Sequence, residues 1–175
     1  MSWANRGTND LGFDDLGFDD LGFDDLEFWW HFCYHIRMNV VIDTNVMLGA
    51  CLSAGAPARV VAACLQGRCQ PLMGNALFNE YEDVFGRADL FERCPLNAAQ
   101  RAELLDIFFA HCQWTRIYYA WRPNLPDEAD NHLVELAVAG GADYIVTRNL
   151  RDVARMELRF PQLRVLSPED FLKEI

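Results

Sequence analysis

Hydrophobic and polar positions change their rhythm at residue 38. From there on, short apolar runs alternate with longer segments whose apolar residues recur every three or four positions. Val40-Val41-Ile42 runs into Asp43-Thr44-Asn45, which predicts a strand buried on both faces with polar residues at its carboxyl end. Val46–Leu52 reads as a short helix capped by Thr44 or Asn45 and broken at Ser53-Ala54-Gly55-Ala56-Pro57. Pro57 suits the first turn of a second helix that reaches about Leu65 and is stopped by Gly67. Gln70–Met73 predicts a second strand. Asn75 then caps a helix carrying Leu77, Phe78, Tyr81, Val84 and Phe85 at helical spacing. Asn97 caps the next, with Leu104, Leu105, Phe108 and Phe109 as its stripe. Thr115–Tyr119 is strand-like. Residues 127–139 read as a helix with Leu133, Leu136 and Ala137 inward, ended by Gly140-Gly141. Ala142–Thr147 predicts a strand and Asn149–Leu158 a helix. Arg164–Leu166 predicts a last strand, and Ser167-Pro168-Glu169 starts the final helix. Strands alternating with helices require right-handed crossovers and a parallel sheet. The expected fold class is α/β, a three-layer α/β/α domain over residues 38–175 with a central, mostly parallel sheet of about five strands.

The first 37 residues follow another pattern. Asp-Leu-Gly-Phe-Asp occurs at 10–14, 15–19 and 20–24, followed by Asp25-Leu26-Glu27-Phe28. A solenoid is the first idea such a repeat suggests, but five residues match neither a helical nor a strand period, so Leu and Phe drift from face to face. The glycines weaken a helix further. Residues 1–37 are therefore expected to be an acidic extension, disordered or an artefact of start-site choice, with Met38 as the start of the globular chain. Phe28-Trp29-Trp30 and Phe32 form an aromatic patch that could instead bind a partner.

Charge sharpens this picture. The chain is 51% hydrophobic and 23% charged, with a net charge of −11. Residues 1–37 hold eight acids and two arginines, while residues 38–175 hold eighteen acids and thirteen bases. An acidic domain does not advertise nucleic-acid binding through bulk charge, so a polyanion substrate would need a bound cation or a local basic patch. The six cysteines form no CxxC pair and no zinc-like spacing with the four histidines. Cys51 and Cys64 lie in apolar surroundings that favour buried, reduced thiols, consistent with a cytoplasmic protein. No apolar run reaches the length of about 18 residues that a membrane span needs, and the acidic start argues against a secretory signal.

Acids at strand ends supply the candidate chemistry. Asp43 ends the first strand, where open α/β sheets place their ligands; it reads either as a cap or as a metal ligand. Glu80 lies one to two turns into the helix after the second strand. Asp127 and Asp130 are three apart on a helix start, hence on one face. Asn149 and Asp152 follow the strand ending in Thr147. Each has a simpler reading: Glu80 as solvated surface, Asp127 as a cap, Asp152 as a favourable charge at a helix N-terminus. Together, the four places alternate with the strands as one shared cleft requires.

These residues carry a resemblance. Val41-Ile42-Asp43-Thr44-Asn45-Val46, Glu80, the run Asp127-Glu128-Ala129-Asp130-Asn131-His132-Leu133-Val134-Glu135-Leu136-Ala137, and Ala142-Asp143-Tyr144-Ile145-Val146-Thr147-Arg148-Asn149 resemble the PIN-domain family. The branch they are most similar to comprises the bacterial VapC-like toxin components of toxin–antitoxin pairs. The resemblance covers about residues 38–172. It implies a PIN-like fold and a metal-dependent ribonuclease whose acids are Asp43, Glu80 and Asp130, assisted by Asp127 and by the polar residues Thr44, Asn45 and Thr147. The family's fourth acid falls at Asn149, where this chain carries an amide; either Asn149 or Asp152, one helical turn on, is the candidate for that position. The implied cofactor is Mg²⁺ or Mn²⁺. The implied partners are an RNA substrate and a cognate antitoxin, with a homodimer as a further expectation.

The residue types agree with that chemistry. Hard divalent ions take oxygen ligands and keep several waters, so two or three carboxylates suffice. A bound cation also offsets the acidic charge that would repel phosphate. Arg148, Arg151 and Arg155 lie near one helical face and are candidates for backbone phosphates, with a solvated face balanced by nearby acids as the simpler alternative. A phosphatase or nucleotide-binding protein fits less well. The chain has no GxGxxG or Walker A loop, and no second acid stands two residues after Asp43. A PIN-like module that binds RNA or protein without cutting remains the main alternative.

Overall fold

The structure is a computed structural model that describes residues 38–118, 131–153 and 160–175. Arg37–Ile175 forms one compact unit. Its first strand, β1 (Asn39–Ile42), is followed by helices α1 (Thr44–Leu52) and α2 (Ala56–Leu65), then β2 (Gln70–Met73) and α3 (Asn75–Phe85). A 3₁₀ turn at Ala88–Phe91 leads to α4 (Ala98–His111) and β3 (Gln113–Trp114). The remaining described elements are α5 (Asn131–Gly140), β4 (Tyr144–Val146), α6 (Leu150–Val153), β5 (Arg164–Leu166) and α7 (Pro168–Phe171).

The five strands form one sheet in the order β3-β2-β1-β4-β5, and every pairing is parallel. The expected sheet of about five mostly parallel strands is thus wholly parallel. Successive residues of a strand point to opposite faces. Val40, Val41 and Ile42 are nevertheless all at most 1% exposed, so helices cover the sheet on both sides. The order explains how. Crossovers from β1 through β2 to β3 run in one direction and the return to β4 runs in the other, which places their helices on opposite faces when both are right-handed.

Several boundaries differ from the sequence reading, each for a local reason. Helix α1 begins at Thr44 and is capped by Asp43, not by Thr44 or Asn45. Asp43 has extended backbone angles, and its side chain accepts the Asn45 backbone N–H, as a cap requires. Gly74, not Asn75, occupies the cap position of α3 and supplies no side-chain bond. Asn97 does form a full capping box with Gln100. β3 covers Gln113–Trp114, so the ladder precedes the strand expected at Thr115–Tyr119. Just beyond it, the Thr115 N–H still reaches the Met73 carbonyl at 2.8 Å. Tyr119 lies outside the described residues. At the end of α5, Gly141 has φ +61°, a backbone region that favours glycine. Gly140 lies so close to Leu72 that a Cβ would collide with it.

Candidate functional site

A parallel sheet brings the carboxyl ends of its strands to one rim, and ligands collect where the strand order reverses. Here the order reverses around β1, between β2 and β4. Asp43 leaves β1 at that point and Thr147 leaves the neighbouring β4. The Asp43 backbone N–H donates to the Val146 carbonyl at 3.0 Å, which ties the two strand ends together.

The Asp43 carboxylate is 7% exposed and accepts three hydrogen bonds. Oδ1 takes the Asn45 backbone N–H at 3.1 Å. Oδ2 takes the Asn45 side-chain amide at 2.7 Å and the Thr147 hydroxyl at 2.5 Å. Thr147 is fully buried. Its Oγ1 also accepts from the Asn45 amide at 3.2 Å and from the Asn149 N–H at 2.9 Å, so its one proton is committed to Asp43. The Asn45 side-chain oxygen accepts the Arg148 N–H at 3.1 Å. Asn45 therefore staples the end of β1 to the loop after β4, a contact between residues over a hundred positions apart.

Glu80 comes from α3, and a buried tyrosine sets its position. Tyr81 is fully buried and donates its hydroxyl to the Ile42 carbonyl at 3.0 Å, one residue before Asp43. The Glu80 carboxylate, about one third exposed, lies 2.8 Å from His132 Nε2 on α5. Asp43, Thr44, Asn45, Leu48, Glu80, Val84, Leu90 and Asn149 line a single open cleft of about 220 Å³.

The two carboxyls are perturbed in opposite directions. Burial pushes Asp43 up; the Thr147 and Asn45 hydrogen bonds pull against it, the nearby Glu80 charge adds to the rise, and His132 opposes it. Burial also acts upward on Glu80, but hydrogen bonding and charge from His132, with a contribution from the Thr44 hydroxyl, outweigh it, and the net direction is down. Glu80 is thus held ionised, while Asp43 carries the strain of a charge in a dry place.

Of the residues singled out in the sequence, Asp43, Thr44, Asn45, Glu80 and Asn149 meet in this cleft and Thr147 lies directly beneath it. Arg148 and Arg151 are exposed at the start of the segment after β4. Asp127, Asp130 and Arg155 lie outside the described residues, as does the side chain of Asp152 on α6. Among the described residues, no three His, Cys, Asp or Glu side chains converge at metal-binding distance. Two residues with a bearing on the site were missed. Tyr81 reads in sequence only as a core residue. His132 is a lone histidine opening an apolar helix, and its partner is visible only once α3 and α5 are packed together.

Comparison with known proteins fits this geometry. No curated protein matches the chain by sequence. Among solved structures, the chain is similar to VapBC2 from Rickettsia felis bound to a DNA fragment from their promoter. The match has a TM-score of 0.51 and 14% identity, and it covers 74% of this chain and 98% of that one. At that identity the likeness concerns the fold. The sequence profile described as PIN domain matches residues 39–151, a span that runs from β1 into α6 and takes in the residues lining the cleft. This chain belongs to the PIN-domain family.

Proposed function

We propose that this protein is a Mg²⁺- or Mn²⁺-dependent endoribonuclease and the toxin of a toxin–antitoxin pair. The observation that carries the proposal is the meeting of Asp43 and Glu80 in one cleft at the switch point of a PIN-family sheet. The donor set suits a hard divalent ion. It consists of oxygens, and a carboxylate offers about four acceptor positions, of which Asp43 has three engaged. The remaining direction belongs to Oδ1. Burial raises Asp43, the Glu80 charge adds to that rise, and Glu80 itself stays negative; a cation between the two carboxylates is favoured by both charges.

In this reading Asp43, Glu80 and Asp130 hold the ion. When bound, it supplies charge neutralisation and Lewis-acid activation for in-line attack of water on a phosphodiester. Thr147 and Asn45 fix the orientation of Asp43, and His132 keeps Glu80 ionised until the site is filled. Asp127 assists Asp130, and Asn149 or Asp152 takes the fourth position. Arg148, Arg151 and Arg155 hold backbone phosphates. The likeness to a VapBC2 assembly and the branch that the sequence resembles support a cognate antitoxin as partner. A second reading, a PIN-like binding module without catalysis, is favoured by the amide at Asn149 and by the engagement of Glu80 with His132.

The test combines biochemistry and genetics. Purified full-length protein should cleave single-stranded RNA with Mn²⁺ and lose that activity with a chelator. Expressing it with and without the neighbouring gene, while mapping RNA ends, should show new ends only when the neighbour is absent. RNA bound but never cut under any divalent ion would favour the binding module.

A further inference from the structure

The segment after β3 forms a second feature on the same rim. Trp114, Arg116 and Tyr118 are exposed, Trp114 at 52% and Tyr118 at 78%, while Thr115 and Ile117 between them are partly buried. That is the period of an extended strand, which sends alternate side chains to opposite sides. The Ile117 side chain turns inward against Gly74, and the Thr115 hydroxyl against Gly140. Trp114 is braced by Phe78, with ring centroids 5.4 Å apart. No carboxylate pairs with Arg116 among the described residues. The outward strip is therefore aromatic, cationic, aromatic.

This strip adjoins the candidate metal cleft. Asn75, Ala76, Thr115, Arg116, Ile117, Tyr118 and the buried Glu135 line an open cavity of about 520 Å³. Helix α3 contributes Asn75 and Ala76 to that cavity and Glu80 to the other. Four residues of rise, about 6 Å, separate Ala76 from Glu80. Helix α5 repeats the link, since His132, beside Glu80, and Glu135 are three apart and share a face. Across the sheet, β3 lies two strands from β1, roughly 10 Å. Both cavities open on the carboxyl-end rim.

We infer that Arg116 and Tyr118, flanked by Trp114, form a subsite for single-stranded RNA, in which Tyr118 stacks on a base and Arg116 holds a phosphate next to the position cut at Asp43 and Glu80. This rests on the ribonuclease reading above. Aromatic faces beside a guanidinium are the usual platform for unpaired nucleotides, whereas bases within a duplex are already stacked and do not reach such a strip.

The test uses the full-length protein, Mn²⁺ and a single-stranded oligoribonucleotide. Tyr118→Ser should raise KM about tenfold with kcat unchanged, and Tyr118→Phe should restore it. Arg116→Gln should raise KM and flatten the salt dependence by about 0.7 in log–log slope, as loss of one phosphate contact predicts. Cleavage with an unaltered KM in both variants would overturn the subsite while leaving the ribonuclease reading intact. If no cleavage occurs at all, anisotropy binding of the same oligonucleotide decides. Binding lost in Tyr118→Ser and kept in Tyr118→Phe supports the subsite without the nuclease, and binding indifferent to Tyr118 refutes it. Loss of affinity for a co-expressed protein partner with RNA KM unchanged would also refute it, by assigning the strip to protein.

Discussion

Asp43 and Glu80 face one cleft and are held there by different means. Asp43 follows three nearly fully buried strand residues, and its carboxylate accepts three hydrogen bonds from groups that do not move independently of the fold. Glu80 sits on a helix, about one third exposed, and meets a single histidine from the opposite layer. Burial dominates the first, so its carboxyl is pushed up; compensation dominates the second, so its carboxyl is pulled down. The lesson is that one wall of this site is built by the backbone and the other is balanced by a partner that a cation can replace. Placing two acids in one cleft becomes tolerable because only one of them is deeply buried.

The comparison can be broken most directly at Asp43. Asp43→Asn should lower Mn²⁺-dependent RNA cleavage by roughly three orders of magnitude, since a lost metal ligand removes several kcal/mol of transition-state stabilisation. The same change sheds a buried charge and loses one of the hydrogen bonds. The melting temperature should therefore move by no more than about 4 °C either way, and circular dichroism should stay native.

The tyrosine that links the two walls comes next. Tyr81→Phe leaves the buried Ile42 carbonyl without its side-chain donor and should cost about 1–3 kcal/mol in denaturant titrations. It should also weaken cleavage by letting Glu80 drift from Asp43. Full stability and full activity together would show that Tyr81 does not position the site. Thr147→Val should cost about 1–2 kcal/mol and push the Asp43 carboxyl further up, which NMR titration of that carboxyl would read.

The smallest effect concerns pH. A carboxyl raised on folding makes the native state the better proton binder, so Asp43 takes stability away as pH rises from its unfolded value of about 4 through its folded one. Glu80, lowered on folding, acts oppositely. Its stability is present above roughly pH 4 and is lost as pH falls through its folded value. Glu80→Gln should therefore lower stability at neutral pH by less than about 1 kcal/mol, because solvent screens a partly exposed pair. The loss should fade as pH falls through the folded value of Glu80. A loss that persists below that value would place its cause in packing.

The same contrast governs what the sequence revealed. The apolar run into Asp43, the alternation of strands and helices and the polar residues at strand ends were legible because each is a local pattern. A cap was one of the two readings open for Asp43, but the start of its helix at Thr44 was not legible. The helix reads in sequence from Val46, and nothing local says that the Asn45 amide is committed to Thr147 across the sheet. The pairing of Glu80 with His132 was hidden for the same reason, since it joins two helices from different crossovers. The strand-like alternation after Trp114 was real, but its ladder to β2 is short, and edge pairing depends on a neighbour that the local pattern does not show. Cys64 and Cys69, whose sulfurs lie 3.4 Å apart without a disulfide, form no CxxC pair, so their spacing in sequence does not show that they meet.

The central claim is that Asp43 and Glu80 hold the same ion, and a Mn²⁺ titration followed by electron paramagnetic resonance tests it most directly. On the full-length protein, Asp43→Asn and Glu80→Gln should each weaken Mn²⁺ binding by about tenfold or more. The double variant should bind little worse than the weaker single, since contacts to one ion are not additive. Mn²⁺ affinity unchanged by Glu80→Gln, or fully additive losses in the double variant, would contradict a shared site.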